Sequence, residues 1–164
     1  MPDSQPWYVV DTNILIDFYR GDLLDALFAL SAVFLAPDVI VAELGEPDGQ
    51  RLLAMGLESV SLTGEQVMEV VELAAVHRAP SINDLFALVL ARAALLLTGD
   101  GALRRLAESE GIEVHGTLWL LDELIRLAIV TPAKAAECLE CMVRHGSRLP
   151  EDECERRLRR WRKR

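Results

Sequence analysis

Three short stretches of the chain are apolar without interruption: WYVV (7–10), VFLA (33–36) and ALLLT (94–98). Each is short for a helix and stops at a charged or turn-forming residue, so each reads as a buried strand. ESVSL (58–62) alternates as a half-exposed strand does, and IEVHG (112–116) completes a set of five. The intervening segments carry apolar residues at helical spacing. Helices are predicted at 13–20 and 22–31, from Pro37-Asp38 through VIVAEL, from Pro47 to about Leu53, and over 64–76, where Val67, Val70, Val71 and Ala74 mark one face. SIND (81–84) is a capping signature before LFALVLARA, and ALRRLAESE is a helix closed by Gly111. Three more helices follow at about 117–129, 132–145 and 150–163. Strands alternate with helices, and the strands lack an inside-outside alternation. That combination predicts an α/β fold with a parallel sheet covered on both faces.

Length adds one constraint: 164 residues, about half of them apolar, fit one globular domain with a sizeable core. The most apolar region, FALVLARAALLLT (86–98), contains Arg92 and falls short of a membrane span. MPDSQPW lacks the basic and apolar regions of a secretory signal, so a soluble cytoplasmic protein is expected. Charge changes the picture more. The net charge is −9, but seven of the 17 basic residues lie in the last nine positions, RRLRRWRKR (156–164). The remainder carries ten basic against 26 acidic residues. A phosphate polymer is repelled by such a body unless cations offset some carboxylates. The tail either attracts nucleic acid or a partner, or forms a solvated helix end.

The acids themselves are placed suggestively. In open parallel sheets, ligands bind beyond the carboxyl ends of the strands. Asp11 follows the first strand directly, and Asp100 follows ALLLT in the same way. Asp84 opens a helix that leads back toward that strand. Glu43 lies on the helix after Pro37, with Glu46 as a competing candidate nearby. Such carboxylates cannot crowd together while ionised unless a cation joins them. Mg²⁺ or Mn²⁺ suits an all-oxygen donor set and supports hydrolysis of a phosphodiester. Each acid also has a local explanation: Asp11 as a helix cap, Asp84 within a capping box with Ser81, Asp100-Gly101 as a turn, Glu43 as a solvated helix residue.

VVDTNILID, VIVAEL, SINDLFALVLARA and LLLTGDGALRRLAESEGIEVHGTL, in that order, resemble the PIN-domain nucleases over about residues 7 to 120. The resemblance implies a three-layer α/β/α sandwich and a Mg²⁺- or Mn²⁺-dependent endoribonuclease. Carried over by position, Asp11, Glu43, Asp84 and Asp100 would be the catalytic, metal-binding acids, with Asn13 and Thr98 as supporting polar residues. Residues 1–130 would form the nuclease domain and 131–164 a C-terminal helical extension packed on it. Many such proteins are toxins of toxin–antitoxin pairs, so RNA as substrate, a small antitoxin and a homodimer are implied.

Two other readings compete. A haloacid-dehalogenase-like phosphatase also has an acid after its first strand and a GDG turn, but wants a second acid where this chain has Asn13. A catalytically silent scaffold of the same fold retains the acids without using them. Cys138, Cys141 and His145 share a helical face and, with Cys154, have the donor types for zinc; the alternative is that they are small buried hydrophobes. The three histidines, His77, His115 and His145, are scattered and are assigned structural or surface roles.

Overall fold

The computed structural model describes residues 4–163. Five strands form one parallel sheet: β1 (Trp7–Val10), β2 (Val33–Pro37), β3 (Glu58–Val60), β4 (Leu95–Leu97) and β5 (Val114–His115), in the spatial order β3-β2-β1-β4-β5. The central strands β1 and β4 are paired with Val10 opposite Leu97. Their ends are therefore level, and the residues that follow them emerge side by side.

Helices cover both faces, giving the three-layer α/β/α sandwich. Val10, Phe34, Ala36 and Leu97 point into one apolar layer with Ile14, Leu15 and Phe18 of α1 (Thr12–Arg20) and Leu120, Leu121 and Leu124 of α8 (Thr117–Arg126). Val9, Leu35, Leu96 and Val114 point the other way. They meet Val70 of α5 (Gly64–Val76), Leu85 and Leu88 of α6 (Ile82–Leu90), and Leu103 of α7 (Gly101–Ser109). Both sides of β2 and β4, and of β1 toward its end, are buried, so those strands show no alternation, whereas the edge strand β3 is exposed at Glu58 and Ser59.

Local backbone chemistry moves several expected boundaries. Asp22 takes a left-handed φ of +55°, which separates α1 from α2, and α2 spans only Leu24–Phe28. Pro47 lies outside its helix, because Asp48 caps α4 (Gly49–Met55) by accepting from the Gln50 amide at 2.8 Å. On α5 only Val70 of the expected apolar face is buried; Val67, Met68 and Val71 are exposed. Between β2 and α4 runs α3 (Asp38–Glu43).

The C-terminal helices, α9 (Pro132–Arg144) and α10 (Glu151–Arg162), share the core of α1 and α8 through Leu139, Met142, Cys154 and Trp161. The basic tail is engaged in this packing. Arg157 and Arg160 donate to Asp122 at 2.9 and 2.5 Å, Arg162 pairs with Glu140, and Arg159 with Glu155 at 3.6 Å. Trp161 is buried. Arg157, Arg160 and Arg162 thereby tie α10 to α8 and α9, while Arg159 pairs within α10; Arg164 lies outside the described residues, as do residues 1–3. Cys138 and Cys154 are core residues whose thiols burial pushes up, away from the thiolate a zinc ion needs. Cys141 Sγ instead donates to the Arg20 carbonyl at 3.3 Å. No helix among the described residues is long and apolar enough to cross a membrane.

One glycine fixes how α3 and α4 meet. A Cβ on Gly49 would stand 2.4 Å from the Val41 carbonyl oxygen, a backbone atom that cannot swing aside. Gly49→Ala is expected to destabilise the protein by about 1–3 kcal/mol. Urea unfolding checks this: a fall in the midpoint is the expected result, and an unchanged midpoint contradicts the close approach.

Candidate metal centre

Asp11 stands one residue past β1, with its amide donating to the Leu97 carbonyl at 2.9 Å. It caps α1: Oδ1 accepts from the Thr12 amide at 2.8 Å. Its other oxygen accepts from the Thr98 hydroxyl at 2.7 Å. Thr98, fully buried at the end of β4, in turn accepts from the Asp100 amide at 3.1 Å. Asp100 then caps α7 through the Leu103 amide at 2.8 Å. Asp84 closes a capping box at the start of α6, accepting from the Ser81 amide at 2.8 Å. Three helix N-termini therefore carry these three acids, and the positive ends of the helices favour negative charge there.

The acids interact with one another. Asp11 is only 4 % exposed, and its carboxyl is raised from 3.8 to about 6. Burial is the largest cause, and the negative charges of Asp84 and Asp100 push in the same direction, while the Thr98 and Thr12 hydrogen bonds oppose them. Glu43, the last residue of α3, joins through Asn83, whose amide nitrogen donates to Glu43 Oε2 next door to Asp84. The competing Glu46 faces the Tyr19 hydroxyl at the far end of α1. Asn13 is exposed and lines a cleft of about 450 Å³ together with Asp100.

In donor chemistry, though not in spacing, the set suits a hard divalent cation. It is all oxygen, and its members repel one another at Asp11 in a way that a cation relieves. Asp11, Asp84 and Asp100 would hold the ion, with Glu43 behind Asn83. A carboxylate oxygen with one cap bond still has a lone pair for a ligand. The acids are not drawn together, however: among the described residues, no three His, Cys, Asp or Glu side chains are grouped closely enough to hold a metal ion. The local explanations for Asp11, Asp84 and Asp100 are thus realised as caps, and capping is what places them at one rim.

The cleft contains residues that the sequence did not single out. Asp17, on α1, is buried and accepts from the Thr117 hydroxyl at 2.7 Å; burial raises its carboxyl. Arg20 and Arg148 line the same space. A signal for Asp17 was present: a carboxylate three residues past Ile14 and one before Phe18 sits on an otherwise apolar helix face.

A family model described as "PIN domain" (DUF3368) matches residues 7–163, nearly the whole chain, and so includes α9 and α10. The chain belongs to this PIN-domain family and with it to the PIN-domain nuclease superfamily, whose members often use divalent metal ions. The phosphatase reading gives way to this match. No curated protein matches the chain.

The raised Asp11 carboxyl has a consequence for metal-free protein. A folded-state value above the unfolded one means stability that is fully present only below pH 3.8 and is lost as pH rises through about 6. The loss is at most about 3 kcal/mol. Asp11→Asn, which cannot ionise, is expected to lose less stability between pH 4 and pH 7 than the wild type. Chemical denaturation in EDTA at both pH values measures this; an identical loss in the two proteins contradicts the assignment.

Proposed function

We propose that the protein is a Mg²⁺- or Mn²⁺-dependent endoribonuclease of the cytoplasm, acting as the toxin of a toxin–antitoxin pair. One observation carries this reading: in a chain matched over residues 7–163 by a PIN-domain model, the buried Thr98 hydroxyl donates to Asp11 and accepts from the Asp100 amide, which sets two carboxylates beside each other past paired strands. Those acids, with Glu43, are the proposed metal-binding and catalytic residues. The metal, when bound, supplies an activated water and neutralises charge on the scissile phosphate. The protein's own part is positioning. Thr98 holds Asp11 and the Asp100 backbone in fixed relation. Asn13, at the open mouth of the cleft, orients the substrate or a water. No histidine or side-chain nucleophile is needed.

The silent-scaffold reading draws on the separation of the carboxylates. Incubation with labelled RNA and Mn²⁺, with and without EDTA, decides between the two. The expected result is cleavage that requires metal and is abolished in both Asp11→Asn and Asp100→Asn. Cleavage that survives both substitutions contradicts the site, and absence of any cleavage favours the scaffold.

A protein partner belongs to the same reading. The exposed Val67, Met68 and Val71 on α5 support a second copy of the chain as that partner, alongside a small antitoxin. Light scattering on purified protein is expected to give the mass of a dimer; a monomer at micromolar concentration contradicts the homodimer.

A further inference from the structure

The cleft beside Asp100 does not end there. A second cleft, of about 420 Å³, shares Gly99, Gly101 and Arg148 with the first. Together they make one groove that starts at Asp100 and Arg20, crosses the Gly99–Gly101 turn, and passes along His115 and Trp119. At Gly99 nothing lies within 4 Å of where a Cβ would stand, so the turn leaves open space.

We propose that this groove carries single-stranded RNA on one side of the scissile phosphate, with Arg148 on a backbone phosphate and a base packed against the His115–Trp119 pair. The proposal rests on the ribonuclease reading. Two observations support it beyond the groove's continuity. First, Arg20 and Arg148 line the groove and, like several other arginines, form no salt bridge among the described residues; Arg20 does act on the buried Asp17 carboxylate beside it, which leaves Arg148 as the cation open to a phosphate. Arg148 is exposed on the loop between α9 and α10, where it serves both clefts. Second, His115 and Trp119 are stacked, with ring centroids 4.0 Å apart and planes 12° from parallel. Trp119 is braced from behind by Tyr8 at 6.2 Å. A pre-stacked, braced aromatic pair beside the exposed Arg148 suits a base and its phosphate, because every base has a π-face, although Asp17, Asp100 and Glu153 line the same groove.

Fluorescence anisotropy with a short labelled RNA of mixed sequence, in EDTA so that binding is read without cleavage, tests this. Arg148→Glu is expected to weaken binding about tenfold and to reduce the salt dependence by about one phosphate contact. Arg148→Lys, which keeps the charge, is expected to recover most of it. His115→Ala is expected to weaken binding about fivefold, with unfolding curves confirming that each variant folds. Single-stranded DNA of the same sequence reports whether the sugar is read, and a duplex is expected to bind poorly. Binding unchanged in Arg148→Glu, duplex bound as well as single strand, or no RNA binding by the wild type would overturn the groove. The outcomes separate from those of the nuclease test. Metal-dependent cleavage with Arg148-independent binding removes the groove alone, whereas Arg148-dependent binding without cleavage removes the nuclease and keeps the groove.

Discussion

The hydroxyl of Thr98 ties the site to the sheet. It donates to Asp11 and accepts from the Asp100 amide, so one buried side chain links the ends of two strands and the starts of two helices. The link is possible only because β1 and β4 are paired with Val10 opposite Leu97. A slip of one residue would turn Thr98 to the other face of the sheet and leave Asp11 buried without its hydroxyl donor. Burying an ionised carboxylate without compensation is costly. Here the Thr98 hydroxyl, the Thr12 amide and the end of α1 offset part of that cost. The remainder appears as a carboxyl raised to about 6.

The same arrangement explains why caps and ligands need not be rival roles. Capping turns Asp11, Asp84 and Asp100 to the N-termini of α1, α6 and α7, and the fold points those three ends at one rim. Helix dipoles then favour negative charge at these three positions. The net acidity of the chain reads differently in this light. Part of it is matched internally, by tail arginines on Asp122 and Glu140. Part is concentrated at the rim, while exposed Arg148 stands along the groove that leads away from it.

Much of this was legible in the sequence because it is local. Unbroken apolar runs marked the strands, and a carboxylate at the end of WYVV and another after ALLLT marked the rim. The S-x-x-D signature gave the α6 cap as it stands. What the sequence hid depends on contacts between distant positions. Asp17 meets Thr117 one hundred residues away, and Arg148, near the far end of the chain, lines the same cleft as Gly99. The tail looked available for nucleic acid because seven cations in nine residues carry no local sign of their partners. The partners of Arg157, Arg160 and Arg162 lie on α8 and α9, whereas Arg159 pairs within α10. The helical period of α5 promised a buried face, yet period alone does not say how much of a face finds cover.

The account stands or falls on whether these carboxylates bind a divalent ion. Titration calorimetry with Mn²⁺, comparing the wild type with Asp11→Asn, measures that without any assumption about substrate. The account predicts Mn²⁺ uptake by the wild type and its loss in the variant; no uptake by the wild type, or equal uptake by both, would contradict it.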